Sequence, residues 1–472
     1  MRRVPVYRRS VLKFALTCAV VVGSVAFAAN SALAAEYSIE NDSQSGSMVN
    51  SIFNQSYYAD GNILNVANNI SVGDNLPTID GISLTIQGAT QNVILYGNKN
   101  GSSNSGYQLS NGSTLTINNL TFSNFSKDGS FLSYSELYGS GLYVIDNTSS
   151  VILNGVSFTG NSLNGQASLG SKNNLYGGAV ANNNGTIEIS GGTISGNSAH
   201  ANDSGFLTSS GTAYGGAVYN SGTMSISGTT ISNNYTHAEG NNSYGGAIYN
   251  SGTLTLTNNT ISNNYAEVSS RGGSALGGGI YTTGDITLAG GNTFSNNTDN
   301  NGNRANDIYF AGGNLLVNGT GSDEVNTISS GLASSGNSNV ILSNGGKLLL
   351  NGNNTGFTNG NANVGSDSVL TYGGAGNQSI LSGITTVDGN NGAVEFNLDD
   401  ASYNLDAGKV VTANGVQGQF IKSGDNTLNL TNGDYSSFSG DVIINSGILN
   451  YRGGGVYQYV FKSDCSRCDV KL

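Results

Sequence analysis

Between Tyr176 and Asn297 the sequence states one short pattern four times, and this repetition limits the possible folds more than anything else in the chain. Tyr176-Gly-Gly-Ala-Val180 returns as Tyr214-Gly-Gly-Ala-Val218, Tyr244-Gly-Gly-Ala-Ile248 and Leu276-Gly-Gly-Gly-Ile280. Apolar residues then occupy alternate positions: Ile187/Ile189, Met224/Ile226, Leu254/Leu256 and Ile286/Leu288. Each copy closes on an apolar residue and a polar corner, at Ile194–Asn197, Ile231–Asn234, Ile261–Asn264 and Phe294–Asn297. Alternation with a period of two marks β-strands, and no helical period competes with it. Recurrence every 30 to 38 residues marks a repeat architecture.

Only about 22 residues recur in each copy; a propeller blade needs about 40 to 50, so a parallel β-helix coil with three short strands fits better. The extra length enters at one fixed place, Ser198–Ala213, Tyr235–Ser243 and Tyr265–Ala275, which predicts loops projecting from a constant coil. The fold class expected is therefore all-β, a single-stranded parallel β-helix (solenoid). One such coil buries too little apolar surface to offset its own ordering entropy, so neighbouring coils must stabilise each other. Equivalent residues then lie above one another, Ile226 on Leu256, with Tyr219, Tyr249 and Tyr281 forming one ladder and Asn182, Asn220 and Asn250 another. Packing and corner formation are the expected roles of both ladders.

The same grammar reaches back to Thr114–Asn124 and Val151–Asn161. It divides the chain into 36–100 (N-terminal cap and first coils, with Ile52, Phe53 and Ile63 covering the open end), 101–305 (regular repeats with insertion loops), 306–450 (a β-helix continuation of broader, less regular section) and 451–472 (an irregular tail). Residues 1–35 read as a secretory signal peptide, with Arg2, Arg3, Arg8, Arg9 and Lys13, an apolar run from Phe14 to Ala29, and a small-residue site for cleavage after Ala34 or Ala35. Arg8-Arg9 also fits a twin-arginine signal. Those five basic residues leave with the segment and take the formal charge from −12 to −17. A chain this acidic disfavours nucleic acid and anionic lipid as partners. Cys18 leaves too, and the repeats contain no cysteine.

Chemistry-bearing constellations are sparse. Cys465-x-x-Cys468 has metal or redox spacing but no second pair and no neighbouring histidine, so a simple disulfide or an incidental tail is the expected reading. The histidines, His200 and His237, fall in two successive insertions with Asp203 and Glu239 nearby, and loop histidines are ordinarily solvated. Other β-helices cleave polysaccharides with clustered carboxylates or Asp-bound calcium. Here Glu188 and Asp285 are isolated, Arg271 is the one basic residue between Lys172 and Arg304, and Asp399-Asp400 has no basic neighbour. No catalytic, cofactor or metal residue is assigned, and the chain is not expected to be an enzyme.

The Gly-Gly-Ala-Ile motif at Gly245–Ile248, its variants Gly177–Val180 and Gly215–Val218, and Phe-x-x-Asn at Phe158–Asn161 and Phe294–Asn297 resemble the passenger domains of autotransporters, in particular the polymorphic outer membrane protein branch. Ile421–Leu430 with Ser446–Leu449 is similar to the strand repeat near the C-terminus of such passengers, and the resemblance covers Ile82 to Leu449. It implies a right-handed β-helix displayed on a Gram-negative cell surface, acting by adhesion to host or bacterial glycans and proteins or by self-association. That family ends in a translocating outer-membrane barrel, whereas this sequence ends at Asp464–Leu472, so a truncated gene or a separately exported passenger is expected. A polysaccharide lyase or glycoside hydrolase, and a non-functional truncated passenger, are the alternative readings.

Overall fold

In the computed structural model the chain is a parallel β-helix. The structure describes residues 35–452, except 40–57, 73–74, 91–92, 98–104, 130–134, 168–171, 204–210, 270–271, 301–305, 322, 359, 407 and 432–435, together with the backbone of 458–462 and 469–471. The proposed signal peptide, Ile52, Phe53, Tyr134, Arg271, Arg304, Cys465 and Cys468 lie outside the described residues.

Three sheets form most of the body, and a shorter one, from Ser402–Asp406 through Thr427–Thr431 to Ile448–Arg452, completes its last coils. Sheet A runs from Glu36–Ile39 through Thr186–Ser190 to Val410–Thr412, sheet B from Ile70–Val72 through Thr193–Ser195 to Gly440–Ile444, and sheet C from Thr78–Asp80 through Val180–Asn182 to Gly356–Phe357. Neighbours in each sheet are equivalent strands one coil apart, paired in parallel, with Ile226 on Leu256, Ile231 on Ile261 and Val218 on Ile248. Alternate residues point inward, and Ile187, Ile226, Leu256, Ile261 and Leu288 are all buried in one core that runs from Leu64 to Leu449.

The corner after sheet B explains the polar ending of each repeat. Asn233, Asn263 and Asn296 turn there with φ near 56°, and Gly160 and Gly196 take the same place with φ 64°. That left-handed conformation is costly for other residues and accessible to Gly and Asn. The following Asn is buried and builds a ladder. Asn161 Nδ2 donates to Asn197 Oδ1 at 2.9 Å, and Asn197, Asn234 and Asn264 each repeat the contact to the next coil at 2.8–3.0 Å. Each of these side-chain oxygens also accepts the backbone N–H one coil back, so no corner amide is left without a partner. The expected ladder Asn182–Asn220–Asn250 is present as well, at 2.8 and 2.7 Å.

Three features add to or correct the sequence reading. The described residues of the insertions form strands rather than loops. After the Asn corner the chain runs outward through Ser162–Ala167, Ser198–Asp203, Tyr235–Ala238 and Tyr265–Val268, which pair in parallel as sheet D, and returns through Asn173–Tyr176, Ala213–Tyr214, Ser243–Tyr244 and Ala275–Leu276, which pair as sheet E. Leu163, Leu175, Ala199, Ala201, Ala213 and Ala238 pack between the two sheets as a second, thin core, so the insertions stack into a flange. Small residues on the inner face, rather than the large aliphatics of the body, let two sheets this short close together.

Second, the section beyond residue 306 has shorter coils, because it carries no flange. A coil takes 29 to 37 residues from Leu115 to Leu315 on sheet A, but 22 to 26 from Leu348 to Val442 on sheet B. The flange has ended at Thr298–Asp299, and the excess length ends with it. Third, the tail carries order. Gln458–Lys462 pairs antiparallel with Ile448–Arg452, and Asp469–Lys471 pairs antiparallel with Gly440–Ile444, so the last coil has strands on two of its open edges. At the other end the stack begins as early as Glu36–Ile39, which pairs in parallel with Asn62–Val66.

Candidate functional site

Each repeat of the flange brings two tyrosines to the corner where sheet E returns to sheet C. The first opens the Gly-Gly motif and ends a sheet E strand, as Tyr176 and Tyr214 do. Gly177 then turns with φ +70°, and a Cβ on Gly178 would lie 2.5 Å from the Ser198 carbonyl oxygen, because the outgoing flange strand crosses there. This tight passage sets the next strand directly beside the first tyrosine. In that strand Val218 and Asn220 face inward, so Tyr219 between them faces out.

The result is a seam of nine tyrosines in two columns. One holds Tyr138, Tyr176, Tyr214 and Tyr244; the other holds Tyr143, Tyr219, Tyr249, Tyr281 and Tyr309. Along the columns the rings stack on one another, Tyr176 on Tyr214 at 4.9 Å, Tyr219 on Tyr249 at 5.4 Å, Tyr249 on Tyr281 at 5.3 Å and Tyr281 on Tyr309 at 5.6 Å. Across the corner, Tyr176 meets Tyr219 and Tyr214 meets Tyr249 edge-on, both at 4.9 Å. The expected ladder Tyr219–Tyr249–Tyr281 is therefore real but is less than half of the array. The partners missed were the tyrosines that open the Gly-Gly motif; their strict position before the turn was the available clue.

These rings are mostly half-buried, and they bridge flange and body. Burial raises the phenols of Tyr138, Tyr176, Tyr249 and Tyr281 well above their ordinary range; Glu136 adds to the effect at Tyr138 and Tyr176, and neighbouring tyrosines at all four. They stay protonated across the physiological range and can each donate as well as accept a hydrogen bond. Glu136 accepts from Tyr138 Oη at 3.0 Å and from Tyr176 Oη at 3.4 Å at one end of the seam. Lys127, buried beneath it, donates to the Tyr138 carbonyl and lies 6.0 Å from the Tyr143 ring; burial lowers its ammonium to about 8.

The two histidines sit on the outer face of sheet D, in strands rather than loops. His200 pairs with His237 and His237 with Glu267, all six residues beyond the closing isoleucine of their repeats. His237 Nδ1 lies 3.3 Å from Glu267 Oε2 and 3.1 Å from Tyr235 Oη, and Tyr235 Oη also donates to Glu267. Glu267 was the carboxylate that sequence proximity missed, since a solenoid neighbour is about 30 residues away rather than two or three. Burial, then the adjacent His237, lowers the pKa of His200 against a smaller opposite pull from Glu267. Val268 packs at the rim of the flange core. Among the described residues no three His, Cys, Asp or Glu converge as a metal site would require. Asp285 accepts the Asn314 N–H at 2.8 Å and Asp400 the Gly376 N–H at 2.5 Å, so both serve local backbone, while Glu188 stands exposed on sheet A.

Comparison of the chain with protein-family models, curated proteins and solved structures finds no match.

Proposed function

We propose that this chain is a secreted β-helix displayed at a bacterial cell surface, and that it works by contact: adhesion to surface glycans or proteins, or self-association, without catalysis. The tyrosine seam is the observation that supports this reading. Contiguous, half-buried aromatic surface is characteristic of recognition faces, and tyrosine in particular supplies contact area with few rotors and a polar tip. The passenger-like order of the repeats supports the surface location.

The test is a binding assay with the mature chain coupled to beads. Beads carrying wild-type protein are expected to clump or to attach to cells, and beads carrying Tyr214→Ala together with Tyr249→Ala are expected to lose most of that attachment while the purified variant keeps its β-sheet circular dichroism. Attachment unchanged by the double substitution places the contact elsewhere on the stack. Release of reducing ends from the bound surface overturns the non-catalytic reading.

A further inference from the structure

We infer that the tyrosine seam is a docking strip for an uncharged, linear glycan lying along the solenoid axis. The inference rests on the contact reading above and names its ligand class.

The orientation of the rings comes first. Most column neighbours stack on one another, at interplanar angles of 2° for Tyr176–Tyr214, 10° for Tyr219–Tyr249 and 6° for Tyr281–Tyr309, while Tyr244 tilts by 40° against Tyr214. Their faces are spent on each other, so an incoming ligand meets ring edges and phenol hydroxyls. A surface of that kind suits a hydroxyl-rich polymer better than an apolar side chain that needs a pocket.

The spacing comes next. Parallel strands one coil apart lie about 4.8 Å from each other, so the hydroxyls recur at close to the length of one pyranose unit. The second column crosses six successive coils, through Tyr143, Ala181, Tyr219, Tyr249, Tyr281 and Tyr309. Ala181 leaves a gap in it that Tyr176 of the first column fills on the same coil, so a polymer with a matching repeat can meet a phenol at each rung, which a folded protein surface cannot do.

Charge selects among polymers. Glu136 and Lys127 are the charged side chains in contact with the seam among the described residues, and both are occupied: Glu136 by two phenols, Lys127 by the Tyr138 carbonyl. A sulfated or uronic-acid chain would find no free cation among the described residues in contact with the seam and would face a mature chain of formal charge −17. A neutral hexose chain meets neither obstacle. A second copy of this acidic chain would meet the charge obstacle on both sides.

The experiment titrates the mature chain with neutral gluco-, manno- and galacto-oligosaccharides of two to eight units, and with oligogalacturonate and heparin fragments of equal length, by calorimetry. At least one neutral series is expected to bind, with affinity rising with length and levelling near six units, while the acidic series do not bind. Tyr214→Phe with Tyr249→Phe keeps the ring columns and deletes two hydroxyls; it should weaken the longest ligand about tenfold, with the melting temperature little changed. Preference for acidic chains, affinity independent of length, undiminished binding by the Phe variant, or no binding of any neutral series would each overturn the inference. Beads that attach to cells while no neutral series binds leave the contact reading standing and remove this one; beads that do not attach remove both.

Discussion

The coils from Ser126 to Asp299 and those from Ile308 to Ile444 share one body plan but use aromatic residues in opposite ways. In the flange-bearing coils the tyrosines form columns outside, at the corner of sheets C and E, while the core is filled mainly by Ile, Leu and Val with Phe122 stacked on Phe158. In the bare coils the column is inside: Tyr372 stacks on Phe396 at 5.5 Å and Phe396 on Phe420 at 5.1 Å, all three buried. Sheet C there presents Ala333 and Gly356 at the positions that Tyr309 and Tyr281 hold below them. The outward tyrosine columns thus accompany the flange and end one coil beyond its last sheet E strand, at Tyr309. The difference teaches that a constant β-helix body can carry a flange and an outward tyrosine seam on one stretch and dispense with both on the next.

Substituting one aromatic in each setting breaks or upholds this contrast. Phe396→Ala opens a cavity in a core that cannot collapse around it and is expected to cost about 3–5 kcal/mol. Tyr214→Ala removes a half-exposed ring with a stacked and an edge-on neighbour and should cost about 1–2 kcal/mol. Denaturant melts of both variants check the pair. Equal losses would mean that the seam is core-like mortar rather than a surface, and would weaken its reading as a binding face.

How much of this was visible beforehand depends on distance along the chain. Sheets A, B and C, their register and the Asn ladders follow from residues within one motif, where alternation and the Gly or Asn corner act locally. The flange did not show, because Ala199, Ala201, Ala213 and Ala238 look like the small residues of a loop until another coil is laid on them. The seam was half visible: Tyr219 and Tyr249 occupy equivalent motif positions, but nothing local says that Tyr214 stands next to Tyr249. The His200–His237–Glu267 column is legible only once each residue is counted from its closing isoleucine. The shorter coils beyond residue 306 were not foreseen, because the motif irregularity there marks the loss of a flange that the sequence had not shown.

The junction of the two regions carries a buried carboxylate that sharpens the comparison. The corner Asn ladder ends at Asn297, whose Nδ2 donates to Asp307 Oδ1 at 2.7 Å, and Ser330 N donates to Asp307 Oδ2 at 2.6 Å. Burial pushes the carboxyl up to about 6 against the pull of these donors. The folded protein therefore holds this proton where the unfolded chain has released it, so stability falls as pH rises from about 4 to about 6 and is level above that. Two pH units of separation correspond to at most about 3 kcal/mol. Asp307→Asn is neutral throughout and should remove this part of the slope, leaving a constant offset. An unchanged slope in the variant would show that the joint keeps its charge at every pH and is held by the ladder alone.

His200, on the flange, acts in the opposite sense and with a smaller effect. Its folded-state value is depressed by burial and by His237 beside it, so the unfolded chain binds the proton first as pH falls. The stabilisation it contributes is complete above the ordinary histidine value of 6.5 and is lost as pH drops through the lowered one. His200→Asn extends the column begun by Asn164, its partner one coil back, and should fit the sheet while removing the titration. Melting temperatures of wild type, His200→Asn and Asp307→Asn between pH 4 and 7 separate the two. Losing His200 should make stability fall more steeply with rising pH, because the Asp307 contribution then stands unopposed. A His200→Asn profile that overlays wild type would mean that sheet D opens freely to water at this position, and that the flange is less firmly closed on its outer face than on the tyrosine side.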